Sequence, residues 1–201
     1  AVTRRVYGRA AECTAQYMSS EASTQQSYSL KDEGYNRYVV FLHGTTWATK
    51  LWPVSSWQAL GQKLKEAGYE IRIPFGNDIE KARAEAIATA CEAQVLPPLS
   101  LKDIAVELIN AQAVVAVDTG LGHLAAALSI PTVSLYGATD PNKTGTRGHN
   151  QQHLSVGYEC APCLLQHCRW VDDQETPPCY ESLQVDKVVQ SLQRLLQEKQ
   201  S

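Results

Sequence analysis

The sequence predicts a doubly wound, Rossmann-like α/β fold, in which a parallel sheet carries helices on both faces. Three observations point there. Short strand-like runs recur between residues 38 and 136, those over 38–42 and 113–117 wholly apolar, most of them end at Gly, Pro or Asp, and segments with a helical apolar stripe separate them. A strand that is apolar at every position is buried on both faces, as strands of a helix-covered parallel sheet are. A helix between two short strands returns the chain to the same edge of the sheet, so the strands run parallel.

The elements follow in order. Residues 38–43 read as the first strand, closed by Gly44. Residues 55–67 place Trp57, Leu60, Leu64 and Ala67 on one stripe, with Ser55 or Ser56 as N-cap and Gly68 as stop. A second strand over 69–73 ends at Pro74 and Gly76, and a second helix over 78–90 carries Ile79, Ala82, Ala86 and Ile87. Residues 94–96 give a third strand, and Ser100-Leu-Lys-Asp103 opens a third helix as a capping box. A strand over 113–117, a short helix over 121–128 and a strand over 132–136 bring the expectation to five strands alternating with four helices.

On either side the pattern changes. Residues 2–17 space Val2, Val6, Ala10, Cys13 and Tyr17 as an amphipathic helix, and 19–36 is a polar linker. Residues 137–180 show no periodic segment and read as a long loop region. Val185, Val188, Val189, Leu192, Leu195 and Leu196 then form an amphipathic helix expected to pack back on the sheet or on a neighbouring domain. The expected organisation is a helix and linker over 1–36, a Rossmann-like core over 37–141, and a cysteine-containing loop region with a packing helix over 142–201.

Composition excludes some functions. A formal net charge of −3 disfavours binding to the phosphate backbone of a nucleic acid, which needs a basic surface to displace condensed counterions. No apolar stretch reaches the roughly 20 residues of a bilayer span, and the first residues lack a secretory apolar core. The expectation is a soluble, non-exported, cytoplasmic chain. In that setting Cys160, Cys163, Cys168 and Cys179 point to metal binding or plain packing before disulfides. Their close first pair suits structural zinc, and reduced thiols packing as small apolar groups is the other reading.

Ligands of an open parallel sheet bind beyond the carboxyl ends of its strands. After the first strand come Gly44, Thr45, Thr46 and Lys50; after the second, Asn77, Asp78 and Glu80; after the fourth, Asp118-Thr119-Gly120-Leu121-Gly122-His123. The last of these places a hydroxyl and two glycines at a helix entrance whose first amides lack internal partners, an arrangement suited to an anion. Lys50 and the threonine pair would add a point cation and donors for a diphosphate. Each residue has a plainer role open to it: Asp118 as an N-cap, Lys50 as a solvated cation, Glu80 as an acid favouring its helix dipole, His123 as a helix-face residue. Neither Gly-x-Gly-x-x-Gly after the first strand nor a Walker loop occurs, which disfavours ordinary NAD binding and Walker-type hydrolysis.

Phe41-Leu-His-Gly-Thr-Thr46, Lys50-Leu-Trp-Pro53, Val117-Asp-Thr-Gly-Leu-Gly-His-Leu124 and Tyr136-Gly-Ala-Thr-Asp-Pro141 occur in that order, and together they resemble the ADP-heptose:lipopolysaccharide heptosyltransferases of glycosyltransferase family 9. The resemblance implies the C-terminal, donor-binding half of a GT-B fold and an inverting, metal-independent transfer of heptose from ADP-heptose to the lipopolysaccharide inner core. It places Thr45, Thr46 and Lys50 at the diphosphate and sugar, Glu80 at the ribose, Leu99 by the adenine, and Asp118, Thr119, Gly120 and His123 along the phosphate and heptose site. The family's general base belongs to an N-terminal half, which also receives the acceptor, and no position here matches it. Contact with the inner face of the inner membrane is a further implication. The threonine pair with Lys-x-Trp-Pro looks like the enzyme adding the first heptose, and the cysteine cluster looks like the branch adding the second. A non-catalytic nucleotide-sugar-binding module is the competing reading.

Overall fold

A computed structural model describes residues 37–172 and 176–198. The helix and linker expected over residues 1–36, with Cys13, lie outside the described residues. The strands are β1 (Tyr38–Leu42), β2 (Glu70–Ile73), β3 (Gln94–Val95), β4 (Ala113–Val117), β5 (Thr132–Tyr136) and β6 (Gln151–Ser155). The helices are α1 (Val54–Glu66), α2 (Asp78–Cys91), α3 (Leu101–Asn110), α4 (Gly120–Ala127), the single turn α5 (Pro141–Thr144) and α6 (Val185–Glu198).

All six strands are parallel, in the order β3-β2-β1-β4-β5-β6. The chain moves outward from β1 to β3, then returns to lay β4 against the other side of β1. The strand order therefore reverses between β1 and β4, and the loops leaving these two strands diverge to opposite faces, opening a crevice.

The alternation of side chains in the two central strands shows why they are apolar throughout. Val39 and Phe41 of β1, with Val115 and Val117 of β4, face a core shared with Trp57, Leu60 and Leu64 of α1 and Ile87 of α2. Tyr38, Val40 and Leu42, with Val114 and Ala116, face a second core closed by Leu108 of α3 and Ala125 of α4. Each side chain at these positions leaves water, at about 1.5–3 kcal/mol for a large aliphatic or aromatic group.

Local signals set the helix ends. Ser100 Oγ accepts from Asp103 N at 3.2 Å, one arm of the expected capping box, and donates to Asp103 Oδ2 at 2.6 Å in place of the other. Asn77 caps α2 by accepting from Glu80 N at 2.9 Å. Gly68, at φ 84°, ends α1 as expected. Its start differs: α1 begins at Val54 after Pro53, with no side-chain cap, so Ser55 and Ser56 lie inside the helix. Proline's preset φ and missing N–H suit a helix entrance, and here they replace a serine cap.

The loop expected over residues 137–180 contains an unanticipated strand. β6 pairs with β5 from Thr132↔Gln151 to Tyr136↔Ser155, making six strands where five were expected. As the edge strand it has one neighbour, and its residues Gln-Gln-His-Leu-Ser are only partly buried, so no apolar run marks it. The amphipathic helix α6 does pack back, inserting Val188, Leu192 and Leu195 into the larger core.

Candidate functional site

The crevice between β1 and β4 holds most of the residues singled out from the sequence. Thr45, Thr46, Lys50, Glu80, Asp118, Thr119, Gly120 and His123 together line a cavity of about 280 Å³. Gly44, Glu80, Thr119 and Gly120 also border an adjoining cavity of about 520 Å³, whose wall is otherwise largely apolar: Phe75, Leu99, Leu101, Ile104, Leu121 and Leu124. The two spaces form one site with a polar end and an apolar end. Leu99 lies at the apolar end, and Glu80 stands between the two.

Lys50 is the last residue of a short 3-10 turn over Ala48–Lys50, and its side chain lines the crevice. Its Nζ is 2.9 Å from Asp118 Oδ2, with the lysine 15% and the aspartate 7% exposed, so the pair is largely shielded from water. Trp47 stacks beneath the ammonium, 4.4 Å from ring centre to Nζ. Thr139 donates its hydroxyl to the same Asp118 oxygen at 2.7 Å. Thr45 donates to the Asp118 carbonyl at 3.1 Å, tying the loop after β1 to the loop after β4.

Asp118 thus does not cap α4. Thr119 occupies the cap position, and its side chain makes no capping hydrogen bond. The amide groups of the first turn keep their partial positive charge toward the cavity that Thr119 and Gly120 line. A Cβ on Gly122 would rest 3.4 Å from Ala116 Cβ, an ordinary van der Waals contact. A Cβ on Gly120 would meet nothing within 4 Å, so no packing within the described residues demands its absence.

Glu80 is fixed from two sides. Its Oε2 accepts from Gly76 N at 2.7 Å, and a Cβ on Gly44 would fall 2.6 Å from its carboxyl carbon. Gly44 is therefore the space into which the carboxylate leans. His123 is exposed on the rim, where it lines the polar end.

Some residues escaped the sequence reading. Thr139 sits inside the quoted Tyr136-Gly-Ala-Thr-Asp-Pro141 stretch, a signal available but unused. Leu121 and Leu124 likewise sit inside the quoted Val117–Leu124 stretch, whereas Trp47 and the wall residues Phe75, Leu101 and Ile104 had no signal, because they come from separate loops and helices. His43 closes the floor; it is fully buried, and burial, reinforced by the Arg83 charge, lowers its pKa to about 4.

The cysteine cluster stands apart from this cavity. Cys160, Cys163, Cys168 and Cys179 line a separate small space with Thr49, Gly137 and neighbouring loop residues, and all four thiols are free. Among the described residues no three His, Cys, Asp or Glu side chains are already arranged as the ligands of a metal ion. No described helix is long and apolar enough to cross a membrane.

Comparison with known proteins agrees with this architecture. Lipopolysaccharide heptosyltransferase 1 of Pseudomonas aeruginosa is 45% identical over 170 residues, which cover 79% of this chain and 48% of that protein. Lipopolysaccharide heptosyltransferase 1 of Salmonella typhimurium is 45% identical over 115 residues, 57% of this chain and 36% of that one. The chain spans about half the length, or less, of these curated relatives. Among solved structures, E. coli heptosyltransferase WaaC with ADP superposes with a TM-score of 0.66 at 34% identity, covering 80% of this chain and 45% of that chain. E. coli ADP-heptose lps heptosyltransferase II, at 20% identity and a TM-score of 0.69, covers 84% of this chain and 49% of that chain and shares the fold. Residues 3–171 match the family model described as glycosyltransferase family 9 (heptosyltransferase), and with these relatives the match shows that the chain belongs to that family.

Proposed function

We propose that this chain is the donor-binding half of a heptosyltransferase, which transfers heptose from ADP-heptose to the lipopolysaccharide inner core with inversion at the sugar. The observation that carries the reading is the two-part cavity at the β1/β4 crevice, whose polar and apolar ends match the two ends of a sugar nucleotide. The adenine lies against Leu99 and its apolar neighbours, and Glu80, between the ends, accepts from ribose hydroxyls. The pyrophosphate meets Lys50, Thr45, Thr46 and the open amides of Thr119 and Gly120, with His123 and Thr46 toward the heptose. Support comes from E. coli heptosyltransferase WaaC, a 34% identical relative whose structure was solved with ADP.

In the transfer, an acceptor hydroxyl oxygen attacks the anomeric carbon from the face opposite the phosphate, and the carbon–oxygen bond to the phosphate breaks. ADP departs with the bonding electron pair. The new charge on its terminal phosphate falls beside Lys50 and the α4 amides, donors already in place before reaction. This reading assigns the leaving-group charge to protein groups and needs no metal at the phosphate. The acceptor's proton goes to a general base in an N-terminal half, which also receives the lipid acceptor. Such an enzyme works in the cytoplasm at the inner face of the inner membrane. The higher identity to the type 1 relatives favours addition of the first heptose.

Calorimetric titration with ADP, ADP-heptose and UDP tests this. ADP and ADP-heptose should bind, with UDP markedly weaker because its smaller base fills less of the apolar end. Equal affinity for UDP and ADP, or no heat with either adenine nucleotide, would overturn the reading. This chain by itself should bind donor without appreciable transfer.

A further inference from the structure

The four cysteines converge although they come from separate turns of an irregular segment. Cys160, Cys163, Cys168 and Cys179 all line one cavity of about 20 Å³, room for a single water-sized particle.

The surroundings add a second observation. Thr49 Oγ1 donates to the Leu165 carbonyl at 2.5 Å, within the segment bracketed by Cys163 and Cys168. Tyr180, next to Cys179, donates its hydroxyl to the Thr49 carbonyl at 3.0 Å. Leu164 N donates to the Ala138 carbonyl at 2.8 Å. The residue preceding Lys50 is thus held from two sides by the stretch that carries the thiols.

We propose that Cys160, Cys163, Cys168 and Cys179 form a four-thiolate site for one zinc ion, and that the occupied site braces Thr49 and through it Lys50. Four thiolates suit zinc in a closed tetrahedral structural site. As each zinc–sulfur bond forms, one thiol proton passes to solvent, and four thiolates with one divalent ion leave a net charge of −2 on the cluster. The sulfurs must draw inward from their present positions, since no three already stand as a ligand set. The ion has no part in the transfer chemistry. The bracing of Lys50 rests on the donor-site reading above; the metal site does not.

Elemental analysis of the purified protein, compared with the Cys160→Ser/Cys163→Ser double variant, tests the site. We expect about one zinc per chain in the parent and at least a tenfold loss in the variant. Cobalt(II) exchanged into the parent should show the intense thiolate-to-metal charge-transfer absorption of a sulfur-only tetrahedral site. Less than a tenth of an equivalent after anaerobic zinc loading, equal metal in the variant, iron in place of zinc, or cobalt without that absorption overturns the assignment. ADP titration of metal-loaded and chelated protein, each shown folded by circular dichroism, tests the bracing, with a several-fold weaker affinity expected after chelation. Unchanged affinity overturns the bracing. Absence of ADP binding to the metal-loaded protein would instead sink the donor-site reading and leave the metal result standing.

Discussion

Lys50 Nζ and Asp118 Oδ2 meet at 2.9 Å across the tops of the two central strands, joining loops that follow β1 and β4. Thr139 fills a second bonding position on the same carboxylate oxygen, so the lysine is held in the crevice before any ligand arrives. A preset cation loses little side-chain entropy on binding an anion, where a free surface lysine would lose up to about 2 kcal/mol.

Replacing that lysine should separate stability from binding. Lys50→Met leaves the buried Asp118 carboxylate without its cation and should destabilise the fold by about 3 kcal/mol. It should also weaken ADP affinity roughly 10- to 100-fold, the loss of about 1.5–3 kcal/mol for a charged contact. In Lys50→Met/Asp118→Asn the unpaired charge is gone, so urea unfolding should recover most of the stability while calorimetry still shows the weakened ADP binding.

Alanine at either of two glycines should weaken ADP binding, for different reasons. Gly120→Ala meets nothing inside the protein and should leave the melting temperature unchanged or raised, since alanine favours a helix by up to about 1 kcal/mol. Its methyl group intrudes on the proposed phosphate position, so ADP affinity should fall at least tenfold. Gly44→Ala instead pushes aside the Glu80 carboxylate, the far end of a flexible side chain, so ADP affinity should fall while stability changes by less than about 1 kcal/mol. Thermal melts paired with calorimetry on both variants would check this.

The support beneath Lys50 should be equally sensitive. A Cβ at Gly137 would strike the Tyr180 hydroxyl and lie 2.9 Å from the Thr49 carbonyl, so Gly137→Ala should cost about 1–3 kcal/mol in urea unfolding. Tyr180→Phe keeps the ring and removes one hydrogen bond to Thr49, for about 1 kcal/mol. Its ADP affinity should fall by less than that of Lys50→Met, because the cation remains.

His43 makes a pH prediction. Its folded pKa is lowered to about 4 from 6.5, so between these values the unfolded chain binds the proton more readily than the folded one. The contribution of the neutral buried ring is therefore fully present above pH 6.5 and lost as pH falls toward 4, by about 3 kcal/mol in all. Urea midpoints measured across this window should fall more steeply for the parent than for His43→Leu. Parallel curves would show that His43 titrates normally.

The sequence by itself determined the α/β class and most of the elements, because the forces that set them are local or averaged over one segment. Burial on both faces leaves an apolar run at β1 and β4, and Ser100 with Asp103 marks a helix start from within four residues. The quoted motifs also pointed to the residues that line the polar end of the cavity. Only the tertiary structure decided the strand order, which brings Lys50 against Asp118 from distant parts of the chain, and the apolar end where Leu99 meets side chains from other loops. It also decided β6, whose Gln151, Gln152 and His153 carry no apolar signature. An edge strand is held by backbone pairing with its single neighbour, and backbone hydrogen bonds are the same for every sequence, so nothing in the side chains announced it.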